Sequence, residues 1–252
     1  MQRMLSYLRR AVDDYNMIED GDKIAVGVSG GKDSVLLLCA LAALRRFYPN
    51  KFELYAIILD PQFNGIETDY SPIEKLCEEI NVPLTIKRTH IGEIVFDERK
   101  EKSPCSLCAR MRRGALHDAC NELGCKKLAL GHHYNDVVET FMMNLFSEGR
   151  IGCFSPVTYL SRKDIFMIRP LIYTPENEIS SAVERLSLPI VKSRCPADGV
   201  TLRQTMKEKL AEMEKENEGV TEKIFGALVR SGIDGWAKGE VKGKQEQKKE
   251  NL

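Results

Sequence analysis

The sequence has no excess charge of either sign and no long apolar run. Its 37 Lys and Arg residues balance 37 Asp and Glu residues, so net charge indicates no polyanionic partner, and any nucleic-acid site has to be a local patch. No stretch of about 18 apolar residues occurs, which excludes an ordinary transmembrane helix. Residues 1–23 lack the apolar core and the cleavage site of a secretory signal. We therefore expect a cytoplasmic protein that makes no membrane contact.

Disulfide bonds are also unexpected, although cysteine is not scarce. The cytoplasm is a reducing compartment in which disulfide bonds are rare. Those of the eight cysteines that have the spacing of a known motif are therefore considered first as metal ligands or catalytic residues. The chain has 252 residues, of which 43% are hydrophobic, enough for the core of one sizeable domain. We expect a single domain over residues 1–236. Residues 237–252 contain almost no large apolar residue and predict a disordered charged tail.

Short apolar segments alternate with segments of helical periodicity. The predicted strands are Lys23–Val28, Phe52–Leu59, Leu84–Arg88, Lys127–Leu130 and Ile165–Ile168. The predicted helices are Met4–Asn16, Lys32–Phe47, Ser71–Ile80, Ser106–Leu123, Asn135–Phe146, Glu176–Leu186, Arg203–Lys215 and Thr221–Arg230. This alternation predicts an α/β fold with a doubly wound parallel sheet and helices on both faces, in which ligands bind beyond the carboxyl ends of the strands.

Residues 29–34 read Ser-Gly-Gly-Lys-Asp-Ser and lie between a predicted strand and a predicted helix. Glycines let backbone N–H groups turn towards an anion, and a helix N-terminus favours negative charge, so this loop predicts a phosphate cradle. It is not a Walker A loop, because Val26 stands where that motif needs its first glycine and Asp33 stands where it needs Ser or Thr. The alternative is a turn that only permits tight strand–helix packing.

Polar residues follow two other predicted strands. Asp60 stands at the end of the second strand, where a site role and a turn-forming role remain equally open. His132 follows the fourth strand, as a nucleotide contact or as a satisfied strand-end histidine. Asp136 opens the next helix, where its carboxylate could orient a substrate and accept a proton, or cap the helix. We expect these side chains at the same edge of the sheet as the phosphate cradle.

Cys105 and Cys108 form a CxxC pair at the start of a predicted helix, where the helix dipole is expected to lower thiol pKa values and favour thiolates. CxxC alone is compatible with half a zinc site, a redox dithiol or two cysteines without a role. Cys195, in a loop before a proline, is the best third ligand. Three further cysteines are expected to be small core residues: Cys39, Cys77 and Cys120. Cys125 and Cys153 are open candidates for a fourth ligand.

Three segments together resemble one known family. After the SGGKDS loop come residues 104–114 (PCSLCARMRRG), residues 130–140 (LGHHYNDVVET) and Cys195, and this order resembles the tRNA 2-thiocytidine synthetase (TtcA) group of PP-loop enzymes and its tRNA 2-thiouridine relatives. The resemblance covers roughly Asp22 to Arg203. Many members have a second CxxC where this chain has Cys-Pro-Ala-Asp at residues 195–198.

The resemblance implies a set of ligands. ATP phosphates would be held by Ser29, Gly30, Gly31, Lys32, Asp33 and Ser34, with an acidic loop residue helping to place Mg²⁺. Asp60, Arg112, His132 and Asp136 would complete the nucleotide site. A 4Fe-4S cluster would be held by Cys105, Cys108 and Cys195. A structural zinc site normally has four protein ligands. Sulfur transfer through a cysteine persulfide, without a cluster, remains an alternative.

The implied activity is adenylation of the C2 carbonyl of a pyrimidine in tRNA, followed by replacement of its oxygen with sulfur. Catalytic roles would fall to Asp33, Asp136 and the three cysteines. The expected partners are tRNA and a sulfur donor such as a cysteine desulfurase or free sulfide, and a homodimer is left open. One alternative is a PP-loop ligase with a nitrogen nucleophile, such as a tRNA lysidine synthetase, which leaves the cysteines unexplained. The other is a regulator that binds metal and nucleotide and senses redox state.

Overall fold

The computed structural model describes residues 2–99, 104–196 and 202–239, which fold around one six-stranded sheet. The strands are β1 (Asp22–Val28), β2 (Phe52–Asp60), β3 (Leu84–Arg88), β4 (Lys127–Ala129), β5 (Val157–Leu160) and β6 (Ile165–Ile168). Their order in the sheet is β3-β2-β1-β4-β6-β5, with β5 antiparallel to β6 and every other pair parallel. The chain therefore changes direction across the sheet at β1, where a doubly wound fold binds ligands.

The helices cover both faces of this sheet. They are α1 (Gln2–Asp14), α2 (Lys32–Leu44), α3 (Ser71–Glu79), α4 (Ile91–Glu93), α5 (Pro104–Glu122), α6 (Tyr134–Ser147), α7 (Glu176–Arg185), α8 (Leu202–Glu216) and α9 (Val220–Ser231). A π-helical turn, Ile94–Glu98, continues α4, and short 3₁₀ turns occupy Phe63–Gly65 and Ile233–Gly235. The predicted helices and strands are confirmed, with ends that shift by up to three residues.

Besides the short 3₁₀ turns, one strand and one short helix were not predicted. The segment from Val157 to Leu160 is a four-residue edge strand, and only Val157 in it is buried. A strand this short has too few alternating positions to be recognised from periodicity. It runs antiparallel to β6, so the predicted doubly wound parallel sheet is confirmed with one additional antiparallel strand at its edge. The α4 helix and its π-helical continuation were also missed, since they are too short for a helical period to be visible.

Successive residues of β1 point to opposite faces of the sheet, as the two-residue period of a strand requires. Ile24 and Val26 belong to the larger core, which also contains buried residues of α1, α2, α3 and α7. Ala25 belongs to a smaller core with Ala119 and Cys120 of α5. The α5 helix, which carries the CxxC pair, therefore covers the face opposite to the phosphate-loop helix α2.

The C-terminal part of the described chain packs back onto α1. Trp236 is fully buried, and the centroids of its ring and of the Tyr15 ring are 6.1 Å apart. Its indole N–H donates a hydrogen bond to the Phe154 carbonyl at 3.1 Å. Beyond it, Lys238 pairs with Asp14 at 2.8 Å. The rest of the predicted tail, residues 240–252, lies outside the described residues. Within the described ranges, no helix combines the length and the apolar character needed to cross a membrane.

Candidate functional site

The loop from Ser29 to Ser34 connects β1 to α2 and is held by its own hydroxyl groups. The Ser29 amide donates to Ser34 Oγ at 3.0 Å, and Ser34 Oγ donates to the Gly31 carbonyl at 2.9 Å. Gly31 is the N-cap of α2 and has no side chain with which to cap the first amides of the helix. These amides and the positive end of the helix dipole can therefore face an anion.

Gly30 brings the loop against the segment that leads to Cys195. Its φ of +90° belongs to the left-handed region, which side chains disfavour. A Cβ at this position would lie 3.0 Å from the Val191 carbonyl oxygen. The Val191 amide donates to the Gly30 carbonyl at 3.0 Å. The phosphate loop and the third predicted cysteine ligand thus belong to adjoining segments, a link that the sequence does not reveal.

The charged residues of the loop contact carboxylates and a histidine. Lys32 Nζ lies 2.7 Å from Asp33 Oδ1 and 3.2 Å from Glu176 Oε1. Burial alone would lower the pKa of Lys32, but the hydrogen bond and charge of Asp33, together with Glu176, raise it above its ordinary value. Asp33 Oδ1 also lies 3.8 Å from Nε2 of the buried His133. The predicted loop residues therefore contact the segment that follows β4.

Asp136 caps α6, one of the two roles that the sequence left open, and it also contacts Arg203; its substrate role stays a prediction. Its Oδ2 accepts a hydrogen bond from the His133 amide at 2.9 Å, which caps α6. Its Oδ1 accepts from Arg203 Nη1, and Arg203 Nη2 donates to Thr140 Oγ1 at 3.2 Å. Arg203 Nη1 also lies 3.7 Å from Oε2 of the buried Glu139. The carboxylate is thus held in one orientation by a cap on one side and a guanidinium on the other.

Asp60 is buried at the end of β2, and its carboxylate organises the loop that follows. It accepts hydrogen bonds from the Gln62 amide at 3.1 Å and from the Thr68 amide at 2.9 Å. These contacts are those of the turn-forming role. A direct contact of Asp60 with nucleotide stays a prediction.

Cys105 and Cys108 lie in the first turns of α5, and the segment after α7 brings Cys195 to the same region. Cys108 is buried in an apolar cluster that Cys195 packs against. The charges of Cys195 and Cys105 both act on the Cys108 thiol, and Cys105 itself is exposed. The expected lowering of thiol pKa is wrong for Cys108, because burial raises the pKa of this thiol more than the nearby Arg112 lowers it. A bound metal would replace the proton in any case.

The donor set of this site fits an iron–sulfur cluster, because cysteine thiolates are the usual ligands of such clusters. Around Cys108 the site is lined by Phe63, Val95 and Leu107, an apolar shell of the kind that limits solvent access to a metal centre.

Arg112 and His132 line a cavity of about 660 Å³ that starts at Ser29 and extends between α5 and the sheet. His132 is enclosed, and its ring packs on Phe154 with centroids 4.9 Å apart. Burial, aided by the charge of Arg169, lowers the pKa of His132 to about 4. His132 is therefore a neutral imidazole at physiological pH, able to donate one hydrogen bond and accept another.

The structure places several residues at the site that the sequence prediction did not include. His133 lies between Asp33 and Asp136, with Nε2 3.5 Å from Asp136 Oδ2. Arg203 and Glu139 join this group, and Arg169 lies in the cavity with His132. Only His133 could have been recognised as a site residue from the sequence, because it follows His132 at the end of a predicted strand. The other residues lie on helix faces or in distant segments, and no sequence pattern marks them.

The sequence profile of the family described as PP-loop domain matches residues 4–213, which is most of the chain. The chain belongs to the PP-loop family. The resemblance based on three sequence segments is thereby confirmed at the level of family, and so is the fold that it implied.

Two similar proteins carry the same name. This PP-loop protein is 39% identical over 230 residues to the tRNA-cytidine(32) 2-sulfurtransferase of Pelobacter propionicus, and the matched residues span 90% of this chain and 85% of the relative. It is 40% identical over 222 residues to the protein of the same name from Geobacter sulfurreducens, spanning 87% and 86% of the two chains. Similarity therefore extends across nearly the whole length of these relatives.

A solved structure is similar in fold and in part of its sequence. It is the U34-tRNA thiolase NcsA from Methanococcus maripaludis with its 4Fe-4S cluster. The TM-score is 0.76 and the sequence identity 28%, over 96% of this PP-loop protein and 80% of that chain. The sheet and its surrounding helices are therefore those of a thiolase-type PP-loop fold.

Proposed function

We propose that this PP-loop protein is an ATP-dependent tRNA sulfurtransferase that replaces the C2 oxygen of a cytidine with sulfur. The observation that carries the proposal is that the segment containing Cys195 joins the phosphate loop to the region of the CxxC pair. Cys195 packs against the apolar cluster that contains Cys108, and Val191, four residues before Cys195, donates its amide hydrogen to the Gly30 carbonyl. The relatives' name, tRNA-cytidine(32) 2-sulfurtransferase, supports cytidine 32 as the target.

The chemistry requires activation before substitution, because a pyrimidine C2 oxygen is a poor leaving group. The base oxygen attacks the α-phosphorus of ATP, so that an O–P bond forms and pyrophosphate leaves. A sulfur nucleophile then adds to C2, the C2–O bond breaks, and the oxygen departs with AMP. ATP thus supplies the leaving group, and the protein has to hold three reactants in line.

Residues of the described chain divide these tasks. The loop from Ser29 to Ser34 would hold the ATP phosphates, and Asp33 with phosphate oxygens would hold Mg²⁺. Arg112 would add positive charge where the α-phosphate becomes more negative. Asp136, whose orientation is fixed by Arg203, would position the base and accept a proton. Cys105, Cys108 and Cys195 would hold a 4Fe-4S cluster, which would supply iron to bind the inorganic sulfur.

The remaining parts of the proposal concern partners and location. Sulfur would come from a cysteine desulfurase or from free sulfide. A tRNA-modifying enzyme of this kind would act in the cytoplasm. A homodimer stays a prediction, to be checked by light scattering of the anaerobic protein.

The proposal is tested by a reaction of anaerobically purified protein with ATP, Mg²⁺, sulfide and an unmodified tRNA transcript. We expect formation of AMP and pyrophosphate that depends on the tRNA, and one 2-thiocytidine per transcript by nucleoside mass spectrometry. A transcript with guanosine at position 32 is the matched control and should remain unmodified. AMP formation in which nitrogen rather than sulfur enters the tRNA would assign the protein to the ligase alternative instead.

A further inference from the structure

A second cavity, of about 710 Å³, lies between α1, α9 and the amino ends of α6 and α7. None of the described residues that line it lines the cavity beneath α5. Its walls contain the aromatic side chains of Tyr7, Tyr134, Tyr173 and Phe225. The ring centroids of Tyr134 and Phe225 are 4.5 Å apart. A cavity of this size with aromatic walls suits a flat organic ring.

This aromatic cavity shares a wall with the phosphate-loop site. Glu176 lines the cavity, and its carboxylate lies 3.2 Å from Lys32 Nζ and 2.7 Å from Lys207 Nζ. Asn135 also lines it, and its Oδ1 accepts a hydrogen bond from the Glu176 amide at 3.0 Å. The next residue along the chain is Asp136, to which the proposed function assigns the target base. The cavity therefore adjoins the place at which the target nucleotide is proposed to bind.

Two polar groups of the lining lack a hydrogen-bond partner among the described residues. The Tyr134 hydroxyl is buried and unpaired, and no hydrogen bond or ion pair engages the Glu222 carboxylate. Burial, with the charges of Glu222 and Glu214, raises the pKa of Tyr134, so its hydroxyl stays protonated and can donate. Buried polar groups of native proteins are nearly always hydrogen-bonded. A ligand that carries an acceptor beside an N–H donor would satisfy both groups.

The charges of the lining favour a neutral ligand. The carboxylates of Glu176, Glu178 and Glu214 are already engaged by lysines, by an arginine and by backbone amides, respectively. The Arg10 guanidinium, which lies over a tyrosine ring of the lining at 4.5 Å from its centroid, offsets the charge of Glu222. A phosphate would be repelled by Glu222 and a cation by Arg10. A nucleobase is flat and neutral, and its edge carries donors beside acceptors.

Building on the proposed function, we propose that this cavity binds an unpaired base of the tRNA next to the target nucleotide, and that Tyr134 and Glu222 read its edge. Single-stranded RNA is recognised chiefly through bases that leave their stack and lie against aromatic rings or arginine planes. The sugar–phosphate chain would stay outside the cavity, away from its carboxylates. A neighbouring base held in this way would fix the RNA so that the target base reaches Asp136.

A set of tRNA transcripts, each lacking one base among the nucleotides that flank position 32, tests this cavity. With wild-type protein and sulfide, the absence of one particular base should lower kcat/KM for thiolation by roughly tenfold or more, as loss of base stacking does. The Tyr134→Phe and Glu222→Gln variants should each thiolate the intact transcript with a kcat/KM roughly fivefold lower. In both variants the absence of that base should have a smaller effect, because the two changes remove one shared contact.

Stability and ATP affinity should not change in these variants. The Tyr134 hydroxyl has no protein partner to lose, and Glu222 is exposed. Tyr159→Phe and Glu218→Gln are the matched controls, since they make the same chemical changes at residues outside the lining. Both controls should behave like the wild type with every transcript.

The possible outcomes separate the cavity from the proposed function. A wild-type protein that thiolates no tRNA would overturn the proposed function and this inference with it. An active wild type for which no flanking base matters, or variants in which loss of the base has its full effect, would overturn the cavity alone. So would a loss of ATP affinity in either variant. Variants impaired only when a cysteine desulfurase supplies the sulfur would assign the cavity to a protein partner and overturn the RNA proposal. An effect confined to one base and diminished in both variants is the result that supports it.

Discussion

The carboxyl group of Glu139 is buried between Asp136 and Arg203. Burial, with the charge of Asp136, raises the pKa of Glu139 from 4.5 to about 7, although Arg203 acts in the opposite direction. A raised pKa in the folded state means that protonation favours folding. This contribution to stability is fully present below the ordinary pKa of 4.5 and is lost as the pH rises through about 7.

Glu139→Gln should therefore stabilise the protein at high pH. Glutamine does not titrate, so the free energy of unfolding of the variant should exceed that of the wild type by an amount that increases between pH 5 and pH 8. Because one unit of pKa difference corresponds to about 1.4 kcal/mol, this increase should be at most about 3 kcal/mol. Urea denaturation at several pH values measures it. A difference that stays constant with pH would contradict the raised pKa.

Cys105 is the exposed member of the three predicted ligands, so its replacement can be examined with little effect on the core. Cys105→Ser should remove most of the iron and sulfide from anaerobically purified protein and abolish thiolation, because two thiolates do not retain the cluster. Cys39→Ala, in the buried face of α2, is the matched control and should retain iron. Full iron content in the Cys105→Ser protein would show that Cys105 is not one of the cluster's ligands.

At the scale of elements, the end of β4 is packed directly against the start of α2. A Cβ added to Gly131 would lie 3.1 Å from the carbonyl carbon of Asp33 and from the amide of Ser34. Both are backbone atoms, so the phosphate loop would have to shift. This close approach explains why glycine stands between β4 and His132.

Gly131→Ala should therefore weaken ATP binding by roughly tenfold or more, because small displacements of a binding group have large effects. Isothermal titration with a non-hydrolysable ATP analogue measures this. Gly114→Ala is the control, since a Cβ there meets no atom within 4 Å. It should leave the affinity unchanged and stabilise α5 by about 1 kcal/mol. Equal affinities for both variants and the wild type would show that the loop tolerates the shift.

The sequence predicted those parts of the fold and site that depend on local pattern. The strand before residue 29, the glycines of the loop and the CxxC at the start of α5 can each be recognised within a short segment. Arg203 could not be recognised, because it stands 67 residues after Asp136 and meets it only through the packing of α8 on α6. The raised pKa of the Cys108 thiol was missed for the same reason, since burial depends on distant segments.

At the scale of the whole molecule, the C-terminal segment closes over the N-terminal helix. The Trp236 ring contacts Tyr15 edge-on, and the Tyr15 hydroxyl donates to the Trp236 carbonyl at 3.2 Å. Phe225 of α9 also packs edge-on against Trp236, at 5.6 Å. The two ends of the described chain are thereby joined in one core.

Trp236→Ala should lower the free energy of unfolding by about 3–5 kcal/mol, the usual effect of removing a large buried aromatic side chain. Trp236→Phe, which keeps a ring but loses the hydrogen bond to Phe154, should lower it less. Urea denaturation followed by circular dichroism compares the two. A loss below about 1 kcal/mol for the alanine variant would show that the closure is not part of the cooperative core.

The most direct test of the proposed activity is mass spectrometry of nucleosides from total tRNA of cells with and without this gene. We predict that 2-thiocytidine disappears from the cells without the gene. Wild-type protein should restore it, whereas the Cys105→Ser and Asp136→Ala variants should not. An unchanged thionucleoside profile in cells without the gene would contradict the assignment of a tRNA cytidine as the acceptor of sulfur.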